Sequence, residues 1–276
     1  MRVDAVIVTY ESAATIAPSL ETLAPALTAI VVDNASRDDS ASLAEAAGAD
    51  VVRNRENRGF AAAANQGAAL GSGELILFLN PDAAIARADL DRLIAAFDDP
   101  EVAFAGPRLV HADGSEQRPS WPFPSARGTW AEALGLHRVR PARPPKQFFV
   151  VGTCLLARRH AFEELGGFDE RFWLYGEEAD LCRRAWDQGW RVRLVSDAVA
   201  RHLGGASGES APALVFEHFQ RGAEHFVAKH EGRRGLVLHR AGLLVGSILR
   251  SPLPRRRAMA VRLARVLATQ PTRVAR

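Results

Sequence analysis

The chain has 276 residues, 47% of them apolar and 24% charged, which suits one large domain or one domain with an appendage and argues against disorder. Its two cysteines, Cys154 and Cys182, lie far apart and outside any CxxC, so a disulfide framework and a structural zinc site are set aside in favour of reduced cytosolic thiols. No stretch reaches the roughly 18 apolar residues of a membrane span, and MRVDAVIVTY lacks the longer apolar core and cleavage site of a signal peptide.

The first hundred residues alternate strand and helix. VDAVIVT (3–9) reads as a strand, and Ser12 can cap a helix through Leu23. AIVV (29–32) is a second strand ending at Asp33, followed by a helix from Asp38 or Asp39 to Gly48. DVVRN (50–54), ELILFL (74–79) and VAFAG (102–106) are further strands. Ala-rich GFAAAANQGAALG (59–71) and the segment from Ala88 to Phe97 are helices. Such alternation predicts a mostly parallel, doubly wound α/β sheet, in which ligands bind beyond the carboxyl ends of the strands. Thr9, Glu11, Asp33 and Asp82 sit at those ends.

Residues 113–146 are rich in Pro, Arg and Trp and show no period, so a long functional loop is expected. QFFVVGTCLLARR (147–159) reads as one strand with Gly152 inside it, and Glu178 to Gln188 as a helix ended by Gly189. VRLV (192–195) and AVARH (198–202) are short strands. From Ala211 the pattern is helical, with breaks at Gly232 and at Pro252 to Pro254.

Neither phosphate cradle is present. The turn after the first strand reads TYESAAT without a GxGxxG, and no GxxxxGK[ST] occurs. A divalent cation is another way to hold a diphosphate, using one or two protein ligands. Asp82, in FLNPDAAI, and His202, in RHLGGAS, would form a carboxylate-plus-imidazole site suited to Mg²⁺ or Mn²⁺. Equally open locally are a turn residue after Pro81 and a half-buried histidine. In YGEEAD, Glu177, Glu178 and Asp180 crowd a helix start. They either complement its dipole or include a general base whose pKa the neighbouring acids raise.

Seven ordered stretches, IVTYES, VVDNAS, ENRGFAAAANQG, FLNPDA, GTCLLARR, GGFDERFWLYGEEADLCRR and HLGGAS, resemble bacterial glycosyltransferase family 2, in its rhamnosyltransferase-like branch. The resemblance covers roughly residues 1–230. It implies a GT-A fold and inverting transfer of a sugar, such as rhamnose, from a nucleotide-diphosphate donor of UDP or dTDP type to a lipid-linked or polysaccharide acceptor in cell-envelope glycan synthesis. By the same resemblance, Thr9, Tyr10 and Glu11 line the nucleotide pocket and Asp33 reads the base. Asn57, Arg58, Gly59 and Asn65 flank nucleotide and sugar. Asp82 and His202 hold the metal, with Asn80 where many members carry a first aspartate. Glu178 matches the base, with Glu177 and Asp180 as rivals. Gly152, Trp173 and Tyr175 are expected on the acceptor side.

Residues 1–110 thus form a nucleotide-binding half, 111–230 an acceptor and catalytic half, and 231–276 a basic helical extension. No acid follows Glu231, whereas eleven arginines do, from Arg233 to Arg276. With amphipathic LVLHRAGLLVGSILR (236–250), this predicts peripheral contact of 233–276 with the cytoplasmic face of a membrane. A packed hairpin or homodimer surface is the alternative. No aromatic-basic interleaving marks the body, so no nucleic acid partner is expected. The competing functions are a sugar nucleotidyltransferase and a non-catalytic carbohydrate-binding protein of the same fold.

Overall fold

The computed structural model describes residues 1–23, 27–136, 146–202 and 212–250. HLGGAS beyond His202, the Pro252–Pro254 break and the arginines after Arg250 lie outside the described residues. In chain order the elements are β1 (Val3–Thr9), α1 (Ile16–Glu21), β2 (Thr28–Asp33), α2 (Ser40–Ala46), β3 (Asp50–Arg53), α3 (Phe60–Leu70), β4 (Leu75–Leu79), β5 (Ala83–Ile85) and α4 (Arg87–Ala95). Then come β6 (Val102–His111), β7 (Glu116–Gln117), β8 (Ser120–Trp121), α5 (Ala126–Ala133), β9 (Phe149–Val150), β10 (Cys154–Arg158), α6 (Arg159–Glu164), α7 (Glu177–Asp187), β11 (Arg191–His202) and α8 (Pro212–Arg250).

The main sheet runs β3-β2-β1-β4-β10-β6-β11-β5, with β7 hydrogen-bonded to β6. β3, β2, β1 and β4 are parallel to one another, as are β6 and β11. β10 inserts antiparallel between β4 and β6, and β5 runs antiparallel along β11. The sheet is therefore mixed and mostly parallel. Central strands are covered on both faces, so they are apolar without alternation. β4 is LILFL, with every residue buried. Each fully buried Leu or Phe there contributes about 1.5–3 kcal/mol.

α3 lies close on this sheet because its inner face is small. Ala61, Ala63, Ala64 and Ala68 are buried. A Cβ on Gly67 would come within 2.6 Å of the Val6 side chain. At the opposite end of β1 from Thr9, buried Asp4 pairs with Arg159 at 2.8 Å, and Arg159 also donates to the carbonyls of Ala68 and Gly73.

Several sequence expectations need correction. α1 starts at Ile16 rather than Ser12, whose carbonyl accepts from the amides of Thr15 and Ile16. The 147–159 strand is two strands, β9 and β10, because Gly152 and Thr153 turn between them. The segments 192–195 and 198–202 are one strand, β11, whose register slips between Val195 and Val199. The 113–146 stretch carries β7, β8 and α5, and its residues 137–145 lie outside the described ones. β5 escaped the reading because three residues are too short to show a period.

The chain divides into two compact units: Met1–Pro122 with Gln147–Pro212, and Phe123–Lys146 with Ala213–Arg276. The first holds the sheet and its core. The second contains α5 and α8, which is broken at Gly232 (φ 69°). There Ser125 caps α5 by accepting from the Gly128 amide, and Glu231 accepts from the Ala126 amide. Trp130 Nε1 donates to the Leu238 carbonyl, and Arg240 pairs with Glu224 at 2.7 Å.

Candidate active site

The site lies in the first unit, beyond the carboxyl ends of β1, β2 and β4. Parallel register sets Thr9 beside Asp33. Both are buried, and Thr9 Oγ1 and Asp33 Oδ1 have no hydrogen-bond partner among the described residues. The other Asp33 oxygen accepts from the Ser36 amide at 3.2 Å. A buried polar atom without a partner costs about 1–3 kcal/mol. Thr9 Oγ1 can donate and Asp33 Oδ1 can accept, side by side at the strand ends. Tyr10 beside them is exposed. Glu11 holds a left-handed backbone (φ 53°), accepting from the Arg37 amide while its own amide donates to Ser36.

The next residue, Asn34, is a hub that sequence reasoning did not single out. Its Nδ2 donates to Asn57 Oδ1 at 2.9 Å and to the Gly59 carbonyl at 3.1 Å. Its Oδ1 accepts from Asn54 Nδ2 and from the Arg58 amide, each at 3.1 Å. Asn57 also accepts from the Gly59 amide. The Asn57 amide is thereby spent on holding the loop, while the Arg58 side chain is exposed. The loop delivers Gly59 (φ 82°, ψ 167°) to the start of α3. A Cβ there would sit 2.5 Å from the Trp173 carbonyl, and that carbonyl accepts from the Phe60 amide at 2.8 Å. Gly59 thus packs against partly exposed Trp173. Asn65 faces the chain at 167–170: it exchanges hydrogen bonds with the Phe168 backbone and donates to Glu170.

Asp82 and His202 meet. The register of β5 on β11 places His202 opposite Ala83, and His202 Nε2 lies 3.3 Å from Asp82 Oδ1. Both side chains are about one-sixth exposed (16% and 15%). His202 Nδ1 lies 2.9 Å from Gln117 Oε1, a carbonyl that accepts a hydrogen bond from Nδ1–H, with Nε2 toward Asp82. Gln117 had no sequence signal, since only the β6–β7 pairing brings it to His202. Asn80 is tied back by its amide to the Thr153 carbonyl at 3.0 Å. Gly152, one residue earlier, has open space where a Cβ would be.

The acids of α7 separate into two roles. Asp180 is fully buried and bonded to Arg184 Nε at 2.8 Å. Arg184 in turn donates to the carbonyls of Leu165 and Gly167, so this acid braces the loop before α7. Glu177 is buried with Oε2 unpartnered among the described residues. Burial first, then the charge of Glu178, pushes its pKa well above the ordinary glutamate range. Burial also raises Glu178, against the opposing pull of backbone amides such as Gly176 N at 3.2 Å. The hydrogen bond between the two carboxyls favours the proton on Glu177 and the charge on Glu178. Tyr175, with φ 67°, lies within reach of the charges of both clusters. Burial raises its phenol, and the charges of Glu177, Glu178 and Asp82 raise it further.

The residues fit a divalent cation held by two protein ligands. Asp82 and His202 supply a carboxylate and an imidazole, and among the described residues no group of three or more His, Cys, Asp or Glu gathers to enclose an ion. Two protein ligands leave coordination positions for diphosphate oxygens.

The mostly parallel sheet flanked by helices is a fold of the GT-A type. The profile described as Glycosyl transferase family 2 matches residues 4–166, and the chain belongs to that family. Residues 135–203 also match a profile described as the N-terminal domain of galactosyltransferase. The chain is 30% identical over 204 residues to N-acetylglucosaminyl-diphospho-decaprenol L-rhamnosyltransferase of Mycobacterium tuberculosis, a match covering 63% of this chain and 65% of that protein. It is 26% identical over 190 residues to the low-salt glycan biosynthesis hexosyltransferase Agl10 of Haloferax volcanii, covering 65% and 60%. These matches thus span less than two thirds of either relative. Among solved structures, the mannosyltransferase PcManGT of Pyrobaculum calidifontis, in complex with GDP-Man and Mn²⁺, superposes with a TM-score of 0.60 at 17% identity, covering 96% of this chain and 85% of that one. That likeness shows the fold.

Proposed function

We propose that the chain is an inverting, metal-dependent glycosyltransferase. It moves a sugar, rhamnose by analogy with the mycobacterial relative, from a UDP- or dTDP-linked donor to a hydroxyl of a lipid-linked glycan. The observation that carries this reading is the juxtaposition, around Tyr175, of the Glu177–Glu178 pair and the Asp82–His202 pair. Membership of glycosyl transferase family 2 disfavours the nucleotidyltransferase and the non-catalytic alternatives.

In this reading Asp33 Oδ1 accepts the imide N–H shared by uracil and thymine, and Thr9 Oγ1 bonds the nucleoside beside it. Glu178, charged while Glu177 keeps its proton, takes the proton from the acceptor hydroxyl. The acceptor oxygen bonds to the anomeric carbon as the bond to the diphosphate oxygen breaks, with its electron pair, on the opposite face. One displacement inverts the centre. Asp82 and His202 would hold a Mg²⁺ or Mn²⁺ ion, which neutralises charge on the leaving diphosphate. Trp173 and the open space at Gly152 face the acceptor.

The second unit supports contact with an anionic membrane surface at the cytoplasmic face. Val237, Leu244 and Ile248, spaced for one helix face, are exposed on α8, and the sequence around and beyond them is basic. Among the described residues no helix is long and apolar enough to cross a membrane.

One paired experiment tests the chemistry: calorimetry of UDP and dTDP with and without Mn²⁺, alongside transfer assays, on Glu178→Gln and Asp82→Ala. Glu178→Gln is expected to keep nucleotide affinity and lose at least about 100-fold in turnover, the usual scale of a general base. Asp82→Ala is expected to lose the Mn²⁺-dependent part of binding. Substantial transfer by Glu178→Gln would move the base elsewhere, and unchanged Mn²⁺ dependence in Asp82→Ala would remove the metal role.

A further inference from the structure

Beside the site stands a small second sheet, β8 with β9, whose role neither the fold nor the acid pair explains. Trp121 on β8 is 45% exposed. The Arg118 guanidinium lies over that indole, 3.8 Å from the ring centroid. Arg118 Nε is fixed by donating to the Ser120 carbonyl at 3.0 Å. Its Nη groups have no partner among the described residues, and no acid pairs with it there. A stacked guanidinium with one nitrogen pinned is pre-organised for an anion that presents paired oxygens.

The pair is joined to the site at both ends. Gln117, one residue before Arg118, meets His202 Nδ1 at 2.9 Å. Trp121 pairs with Phe149 and Ser120 with Val150. The Val151 amide donates to the Pro119 carbonyl, and Thr153 then binds the Asn80 amide. α7, which carries the acid pair, packs on β9: Trp186 Nε1 donates to the Phe148 carbonyl at 2.9 Å. Four residues separate Gln117 from Trp121, so the two lie within about 13 Å of each other, inside the length of a glycan linked to a phosphate.

We infer that Trp121 and Arg118 form an acceptor subsite, in which the free indole face stacks on an acceptor sugar and the guanidinium binds a phosphate linked to it. This rests on the proposed glycosyl transfer and names the acceptor chemistry: a phosphate-bearing glycan rather than a neutral one. Charge complementarity selects it, because among the described residues Arg118 is a cation without an acid beside it.

The test measures binding of two probes to the full chain with UDP and Mn²⁺ present: a short-chain prenyl diphospho-N-acetylglucosamine, and octyl N-acetylglucosaminide without phosphate. Both substitutions are on exposed side chains, and nucleotide affinity is measured in parallel. Arg118→Gln is expected to weaken the diphosphate probe about fivefold or more and leave the neutral one unchanged. Trp121→Ala is expected to weaken both probes by a similar factor, with Trp121→Phe restoring most of it. Nucleotide affinity stays at the wild-type value throughout. Equal affinity of wild type and variants for the diphosphate probe overturns the subsite. So does loss of nucleotide affinity in Arg118→Gln, which would hand the guanidinium to the donor. Wild type that binds nucleotide but not the diphosphate probe overturns it too. Wild type that binds neither nucleotide nor probe overturns the underlying transferase reading along with it.

Discussion

Glu177 and Glu178 are neighbours in sequence and differ in environment. Glu177 is sealed in with one oxygen unpartnered among the described residues, while Glu178 receives the Gly176 amide. A shared proton relieves the repulsion, and the pKa shifts favour it on Glu177, the more buried carboxyl. The consequence is a stability dependence with a definite sign. The folded pKa of Glu177 is raised above its unfolded value, so below the ordinary glutamate range both states are protonated and the group contributes nothing adverse. As pH rises through the window between the two values, the unfolded chain releases a proton that the folded chain keeps, and stability falls. Glu177→Gln removes the titration. Its melting temperature is expected to exceed that of wild type at pH 8 by about 2–4 °C, the equivalent of about 1 kcal/mol, and to match it near pH 4. A scan of melting temperature against pH checks this, and parallel curves for the two proteins would remove Glu177 as the proton carrier. Asp180, two residues further, shows how little type alone says: its carboxylate is committed to Arg184 and holds a loop.

Among the elements, the turn into α3 does the most for the site. Asn34 uses both atoms of its amide to hold residues 54–59, and the chain enters the helix through Gly59 in a conformation that is essentially restricted to glycine. Trp173 occupies the space where a side chain would be. Gly59→Ala is therefore expected to destabilise the protein by about 1–3 kcal/mol and to displace Trp173. Denaturant unfolding together with tryptophan emission measures both, and unchanged values would mean that the FWLYG loop yields freely. The order and type of α2, β3, α3 and β4 were legible because long periodic segments announce themselves. β5, β7 and β8 were not, because strands of two or three residues carry no period and exist only through their partners.

At the scale of the whole molecule, the two units differ in surface character. The first buries its core between sheet and helices. The second leaves Val237, Leu244 and Ile248 exposed on α8. If this face meets lipid, replacing Leu244 and Ile248 by Asp is expected to reduce co-sedimentation with anionic liposomes at least about tenfold, since each buried aliphatic side chain contributes about 1.5–3 kcal/mol. Binding should also fall with added salt, as the arginine attraction is screened. Undiminished sedimentation of the double variant would refute the lipid role, and a shift from dimer to monomer in its place would assign the face to a second copy.

The sequence by itself determined the family, the α/β class and the residues at the strand ends, because side-chain periodicity and motif order are local properties that survive without coordinates. Asp33, Asp82, Glu178 and His202 were singled out in this way. What only the tertiary structure decided is which of the neighbours share a purpose with them. Antiparallel pairing of β5 with β11 brings His202 to Asp82 across 120 residues of chain, and β7 brings Gln117 to His202. Burial distinguishes Glu177 from Glu178, and an arginine one helical turn away pairs with Asp180. These outcomes depend on register, burial and partner, which are set when the sheet closes and which no local pattern encodes.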